Sequence, residues 1–243
     1  MNKNKIMLKE LSVANIQKGQ PYIILKNISC IFNSGKVYTI LGKNGSGKST
    51  LLKSVLKLLL PEDFKVEGEI EINGKNIYSM SETDLKNFRK GIIKYVPQDA
   101  QTAFDPLKKT KYYFEKIYKI NSGTEEMLDY FLLPPKDVLF RLHPHQLSGG
   151  MCQRLLISLS FLSNPEIIFF DEPTSALDTP VSNLLCRKIK EFAKEDKNAV
   201  IVTQDETFAK NVSDEIAVLS AGKISEFQVA DKYFNRENYE EYS

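Results

Sequence analysis

The sequence predicts an α/β fold: a parallel sheet flanked by helices, an antiparallel β region at the N-terminus and a helical region inserted in the middle. Three observations predict it. Short apolar segments alternate with helical patterns along the 243 residues, which is typical of a parallel sheet covered on both faces. Two β-rich segments precede the first of these buried strands. A stretch rich in lysine and aromatic residues separates the early strands from the late ones.

The first predicted elements lie in the N-terminal quarter of the chain. The segments Lys5–Val13 and Ile23–Phe32 are β-rich, with turn residues at Lys18–Pro21 between them. An apolar run that ends in glycine, Val37–Leu41, predicts a buried strand. A helix is predicted over Ser49–Leu60, where the following proline ends it.

The remaining elements continue the alternation after one interruption. A strand is predicted at Glu69–Asn73, a helix at Ser81–Lys90 and a strand at Lys94–Val96. The insertion contains predicted helices at Thr110–Ile120 and Glu125–Leu132. After it, strands are predicted at Ile167–Phe170, Ala199–Thr203 and Glu215–Leu219. The helices between these strands are predicted at Val181–Glu195 and Glu206–Asn211. We therefore expect one domain over 1–243, with a core at 1–98 and 165–230, a helical subdomain at about 99–164 and a tail with a surface helix at 231–243.

The composition argues against a nucleic-acid surface and a membrane segment. The 33 basic and 31 acidic residues leave a net charge of +2, whereas nucleic-acid binding would need a strong basic surplus. The spacing of Cys30, Cys152 and Cys186 fits neither a zinc site nor a disulfide framework, which indicates a reducing compartment. No apolar run approaches the ~20 residues that span a bilayer. We expect a cytosolic protein whose role at a membrane would need a partner.

The first chemical motif lies between a predicted strand and a predicted helix. It comprises Gly42, Lys43, Asn44, Gly45, Ser46, Gly47, Lys48, Ser49 and Thr50. The pattern G-x-x-x-x-G-K-S in this context indicates a phosphate-binding loop. Glycines let backbone amides curl toward phosphate oxygens, and the helix N-terminus adds positive potential. Lys48 is expected to reach the β- and γ-phosphates, and the Ser49 hydroxyl is expected to bind Mg²⁺.

Two carboxylates, Asp171 and Glu172, follow the apolar strand Ile167–Phe170. Ligands of open α/β sheets bind at the carboxyl ends of strands. An acidic pair at this place is often only a helix cap, but after a phosphate loop the functional interpretation is favoured. Asp171 is predicted to hold Mg²⁺, directly or through water. Glu172 is predicted to polarise the attacking water as general base.

A third motif precedes an apolar helical segment. It contains Ser148, Gly149, Gly150 and Gln153 within Leu147–Arg154. A helix N-terminus of this kind binds anions, but without the Lys-Ser pair it does not form a complete site alone. The pattern LSGGxxQR resembles the signature of the ATP-binding cassette (ABC) ATPases, and the resemblance covers nearly the whole chain.

This resemblance implies a P-loop NTPase core and a site shared by two molecules. In the family, two cassettes dimerise head to tail, and the signature residues just named would cap the γ-phosphate held by the partner. Gln98 would contact Mg²⁺ and the attacking water, and Asp178 would lie in a loop that crosses the dimer interface. The resemblance implies ATP and Mg²⁺ as cofactors and a second ABC cassette as partner.

Two short segments are similar to the dipeptide, oligopeptide and nickel importers. One runs from Val96 through Gln98 to Pro106, and the other is His143–Gln146 before the signature. The similarity implies integral membrane permeases, a solute-binding protein acting indirectly, and a place at the cytoplasmic face of the membrane. The two histidines of the second segment form too incomplete a shell for a metal site.

One position departs from the family in a way that bears on catalysis. The family has Thr-His-Asp where this chain has Thr203, Gln204 and Asp205. Glutamine donates a neutral hydrogen bond but carries no charge. Losing a hydrogen bond to a charged group, worth ~1.5–3 kcal/mol, would slow hydrolysis roughly 10- to 100-fold. We expect weakened hydrolysis at this chain's own site, which favours a heterodimer with a different cassette.

The residues that would face the adenine base are a second departure. The family usually offers an aromatic side chain near the N-terminal strand, and the matching segment Ser12–Ile16 has none. Tyr22 is a candidate replacement.

Two other functions stay open. A soluble ABC ATPase of the iron–sulfur assembly type fits the chain length, whereas a repair type would carry a long coiled-coil insertion that the sequence does not show. A binding-only regulatory cassette is favoured by Gln204, but Lys48, Asp171 and Glu172 argue against it.

Overall fold

Two β-sheets with helices packed on them form the fold of the computed structural model, which describes residues 5–17, 21–118 and 122–235. The strands are β1 (Ile6–Asn15), β2 (Tyr22–Phe32), β3 (Val37–Leu41), β4 (Phe64–Ile72), β5 (Lys75–Asn76), β6 (Ile93–Val96), β7 (Ile167–Asp171), β8 (Asn198–Thr203), β9 (Glu215–Ser220), β10 (Lys223–Ile224) and β11 (Gln228–Val229). The helices are α1 (Lys48–Val55), α2 (Glu82–Ile92), α3 (Thr110–Tyr112), α4 (Thr124–Tyr130), α5 (Lys136–Leu139), α6 (Gly149–Leu162), α7 (Thr179–Lys194), α8 (Glu206–Val212) and α9 (Ala230–Phe234).

The smaller sheet is antiparallel and N-terminal, as predicted. Its strand order is β2-β1-β4-β5, and β1 pairs antiparallel with both β2 and β4. Alternate residues of β1 such as Ile6 and Leu8 are buried, the pattern of a strand with one face on a core. The strand predicted at Glu69–Asn73 is the carboxyl half of β4, which starts earlier because long-range pairing with β1 extends it.

The larger sheet carries the functional end of the fold. Its order is β10-β9-β3-β8-β7-β6, and the four neighbouring pairs from β9 to β6 are parallel. Every residue of β3, β7 and β8 is buried. Successive residues face opposite cores: Val37 packs with the helical insertion and α7, and Tyr38 packs with α1 and the small sheet. The α/β fold class is therefore confirmed.

The predicted helix Ser49–Leu60 is wrong at its carboxyl end, because α1 stops at Val55. Lys57 has a φ of +51°, and Leu58 N donates to Lys53 O at 2.8 Å. These are features of a Schellman motif, which ends a helix with a residue in the left-handed conformation. The Arg89 guanidinium donates to the carbonyl oxygens of Leu56 and Lys57, just beyond the end of α1. The chain therefore turns away well before the proline.

The insertion is helical in the described residues, with one irregularity. The helix predicted at Thr110–Ile120 is α3 followed by a π-helical turn over Tyr113–Ile117. Three predicted features lie outside the described residues: the last residues of the predicted helix Thr110–Ile120, the turn at 18–20 and the tail beyond 235. The predicted surface helix of the tail is seen as α9. In the ranges given above, no helix has both the length and the apolar character needed to cross a membrane.

Candidate functional site

The loop between β3 and α1 requires glycine at both of its ends. Gly47 has a φ of +102°, and a side chain there would come within 2.9 Å of Leu25 Cδ2. A side chain at Gly42 would come within 2.7 Å of the Leu219 carbonyl oxygen. At Gly47, only glycine combines the left-handed conformation with this close packing, and at Gly42 the close approach alone excludes a side chain. The backbone can therefore curl tightly before α1, as an anion-binding loop requires.

The ammonium group of Lys48 lies inside this loop. Its Nζ donates to the carbonyl oxygens of Gly42 at 2.7 Å and Lys43 at 3.1 Å. It also lies 3.1 Å from Glu172 Oε1, and both side chains of this ion pair are less than a tenth exposed. Buried charges are tolerated when they are paired and hydrogen-bonded. Lys48 and Glu172 thus form a buried ion pair at the edge of the loop.

The carboxylate of Glu172 is fixed by the end of β8. Glu172 has a φ of +47°, an uncommon conformation for a residue other than glycine, and its N–H donates to Val202 O at 2.9 Å. Oε2 accepts hydrogen bonds from Thr203 Oγ1 at 2.8 Å and from Gln204 N at 3.2 Å. The Gln204 contact therefore comes from the backbone, and the side chain itself is exposed.

Asp171, the last residue of β7, is buried and accepts two hydroxyl hydrogen bonds. Ser49 Oγ donates to Oδ1 at 2.9 Å, and the Tyr95 hydroxyl donates to Oδ2 at 2.9 Å. Burial raises the pKa of the Asp171 carboxyl, and the two hydroxyl groups oppose that rise by stabilising the charged form. A carboxylate beside a hydroxyl oxygen is a donor set that suits Mg²⁺. Two of the three residues predicted to hold this ion, Ser49 and Asp171, are thus adjacent.

One cleft brings most of the predicted nucleotide residues together. It is lined by Tyr22, Ile24, Asn44, Gly45, Gly47, Lys48, Ser49, Thr50, Gln98 and Glu172. Gln98, which follows β6, therefore shares a cleft with the loop after β3 and the acid after β7. Tyr22 is 59% exposed, so an aromatic ring flanks the loop although Ser12–Ile16 offers none.

The Ser-Gly-Gly turn lies at the exposed N-terminus of α6. Ser148 caps the helix, and its Oγ accepts from Met151 N at 3.2 Å. A side chain built at Gly149 would meet no atom of the described chain within 4 Å, whereas one at Gly150 would come within 2.7 Å of Ala176 O. The turn thus presents Ser148 and Gly149 outward and packs Gly150 against its own chain.

Gln153 and Asp178 are placed differently from each other. Gln153 is 1% exposed, and its Nε2 donates to Pro173 O at 3.4 Å. The side chain is therefore buried against the segment after Glu172, and the place of Gln153 in a signature that caps a partner's phosphate stays a prediction. Asp178 caps α7 by accepting from Val181 N at 3.0 Å, and it remains exposed.

The two histidines form a stacked pair in the segment that enters α6. The ring centroids of His143 and His145 are 5.4 Å apart, and His145 Nδ1 lies 3.3 Å from Pro106 O. Among the residues that the structure describes, no group of three or more histidine, cysteine or acidic side chains could hold a metal ion.

Two hydroxyl groups at the site are not singled out by the sequence motifs. Thr203 stands beside Gln204 in the sequence, but its contact with Glu172 depends on the pairing of β7 with β8. Tyr95 reaches Asp171 because β6 pairs with β7. Their position in the sequence is the only feature that could have indicated them: both lie near the carboxyl ends of the strands on either side of β7, which leads to the two acids.

Comparisons with known proteins agree with this geometry. The profile of the ABC transporter family matches residues 25–175. The oligopeptide transport ATP-binding protein OppD of Bacillus subtilis (strain 168) is 30% identical over 238 residues, which cover 93% of this chain and 66% of OppD. The metal-staphylopine import system ATP-binding protein CntD of Staphylococcus aureus (strain NCTC 8325 / PS 47) is 32% identical over 231 residues, which cover 91% of this chain and 84% of CntD. The chain thus spans just under two thirds of the length of OppD.

A solved structure shares the fold. The ATP-binding cassette MJ0796, described as a dimer in a post-hydrolysis state bound to ADP and Pi, matches with a TM-score of 0.78 and 28% identity. The match covers 93% of this chain and 98% of that one. With its phosphate loop, acidic pair and signature turn in the places described, the chain belongs to the ABC transporter family as an ATP-binding cassette, an ATPase that uses ATP and Mg²⁺.

Proposed function

We propose that the chain is the ATP-binding subunit of an importer for peptide- or metal-type solutes. The functions of its relatives OppD and CntD, oligopeptide transport and metal-staphylopine import, support this class. The observation that carries the proposal is the cleft in which Lys48, Gln98 and Glu172 converge. A subunit that powers transport needs such a site to bind the nucleotide and to place a base beside the γ-phosphate.

In the proposed reaction, water attacks the γ-phosphorus, its proton passes to Glu172, and the bond to the ADP oxygen breaks. The hydrogen bonds from Thr203 Oγ1 and Gln204 N support this role, because they hold the carboxylate in one orientation. Lys48, 3.1 Å from that carboxylate, would neutralise charge on the β- and γ-phosphates.

Three residues would hold the metal ion. Ser49 and Asp171 are hydrogen-bonded to each other at 2.9 Å, and Gln98 lines the same cleft as Ser49. When bound there, Mg²⁺ would neutralise phosphate charge and orient the triphosphate. The protein's part is to keep the oxygen ligands in fixed positions.

A second cassette is proposed to complete the site. The exposed turn of Ser148 and Gly149 opens the 14-residue helix α6, whose first amides lack intrahelical partners and attract anions. Gly150 packs against Ala176 in the same chain, so the turn is held beside the segment that follows Glu172. Asp178 would lie at the same interface. Since Gln204 is expected to weaken hydrolysis at this chain's own site, we favour a heterodimer.

The membrane subunits are proposed as separate permeases, with the cassette at the cytoplasmic face and a solute-binding protein acting indirectly. The proposed layout is a core at 1–98 and 165–230 and a helical subdomain at about 99–164. The segment after Gln98 would carry the motion of the cleft to the permeases.

Cell fractionation tests the importer proposal against a soluble ATPase. The tagged full chain, expressed at its native level in its own cells, is expected to sediment with membranes and to be released by alkaline carbonate, as a peripheral subunit is. A chain recovered wholly in the soluble fraction, while its permease-bound relatives sediment, would contradict the importer and favour the iron–sulfur assembly type.

Changing Gln204 to histidine is expected to raise the ATP turnover of the purified chain. A histidine at this position adds a donor that can carry charge, and recovering a charged hydrogen bond worth ~1.5–3 kcal/mol corresponds to roughly 10- to 100-fold. Phosphate release measured on the wild type and on Gln204→His checks this. Gln101→His, at another exposed glutamine, is the matched control and should leave turnover as it was. Equal turnover in all three proteins would show that Gln204 does not limit hydrolysis.

A further inference from the structure

The Tyr95 hydroxyl is placed against the carboxylate that is proposed to hold the metal. Tyr95 pairs with Phe169 in the parallel register of β6 and β7. Asp171 lies two residues beyond Phe169, so both side chains point to the same face of the sheet. The Tyr95 hydroxyl donates to Asp171 Oδ2 at 2.9 Å. Neighbouring strands therefore carry the hydroxyl donor and its carboxylate partner.

The two oxygens of Asp171 have different partners. Oδ2 accepts from Tyr95, whereas Oδ1 accepts from Ser49 Oγ at 2.9 Å. A hydroxyl group that donates its hydrogen still has lone pairs to offer a cation. Ser49 can therefore keep its hydrogen bond to Oδ1 while its oxygen binds the ion. Asp171 is 2% exposed, so a buried protein donor, not bulk water, sets the orientation of Oδ2.

We propose that Tyr95 is a positioning residue for Mg²⁺: it fixes the Asp171 carboxylate so that Oδ1 faces the ion beside Ser49. The inference rests on the proposed function, because it deepens the metal site of that reaction. Partners of this kind, which hold a ligand without touching the metal, typically change metal affinity ~10- to 100-fold when removed. The competing interpretation is that Tyr95 serves only packing, since its ring also contacts the core cluster of α1 and the small sheet.

Binding of a fluorescent ATP analogue at increasing Mg²⁺ concentration separates the two interpretations without measuring hydrolysis. Tyr95→Phe keeps the ring and removes only the hydroxyl. We expect its Mg²⁺ midpoint to rise about 10-fold, with the affinity in EDTA unchanged. An unchanged affinity in EDTA also shows that the variant is folded. Ser49→Ala, which removes a proposed ligand, is expected to raise the midpoint as well.

Tyr78→Phe is the matched control. Its hydroxyl donates to Ser54 O at 2.9 Å on α1 and does not serve Asp171, so this variant should keep the wild-type midpoint. A Tyr95→Phe midpoint equal to the wild type, while Ser49→Ala shifts it, would overturn the inference and leave the proposed function intact. A midpoint that neither Tyr95→Phe nor Ser49→Ala changes would overturn both the inference and the metal site on which it rests.

Discussion

Replacing Glu172 with glutamine is expected to lower ATP turnover about 1,000-fold, within the ~10²–10⁴-fold range typical of a lost general base. Glutamine keeps the size of the side chain and an oxygen that can accept the hydrogen bonds of Thr203 Oγ1 and Gln204 N, which Glu172 Oε2 receives at 2.8 and 3.2 Å. It cannot take a proton from water at neutral pH. MgATP affinity is therefore expected to stay close to that of the wild type, and single-turnover kinetics would separate binding from cleavage.

The control for Glu172→Gln is the same change at the other end of β7. Glu166 directly precedes that strand, and its Oε2 accepts from Asn73 Nδ2 at 3.0 Å, away from the cleft. Glu166→Gln is expected to keep turnover. If Glu172→Gln hydrolyses ATP as fast as Glu166→Gln, Glu172 is not the base, and the chemistry proposed for the cleft is wrong.

The parallel sheet could be predicted because its strands are buried on both faces and are short and apolar. Val37–Leu41 has the predicted bounds, and Ile167–Phe170 gains only Asp171. Pairing between distant segments could not be predicted in the same way. None of the residues Phe64–Gly68 that open β4 is buried, and they form a strand because β1 supplies their hydrogen bonds. The left-handed Lys57 that ends α1 depends likewise on tertiary contacts with Arg89.

The candidate site could be predicted where a continuous sequence motif carries the chemistry. It could be predicted less well where contacts join segments that are distant in the sequence. Lys48, Asp171 and Glu172 follow from local patterns. The structure pairs Lys48 with Glu172 and Asp171 with Ser49. The inward direction of Gln153 could not be inferred, because it depends on how α6 packs against Pro173. The partner of Tyr95 depends on a strand order that no local pattern specifies.

Replacing Lys48 with methionine is expected to weaken MgATP binding ~10- to 100-fold, because one or more hydrogen bonds to charged phosphate oxygens, each worth ~1.5–3 kcal/mol, are lost. Methionine preserves the length of the buried stem. The change also leaves the carboxylate of Glu172 without the cation now 3.1 Å away, so thermal unfolding must show that the variant is folded. The matched control is Lys86→Met, at an exposed lysine on α2.

Calorimetric titration of MgATP into these three proteins tests whether the loop from Gly42 to Thr50 binds the triphosphate. We expect one nucleotide per chain for the wild type and for Lys86→Met, with equal affinity, and binding that is strongly reduced in a folded Lys48→Met. No measurable affinity in the wild type, or the same affinity in Lys48→Met as in the wild type, would contradict the claim that this loop binds the triphosphate.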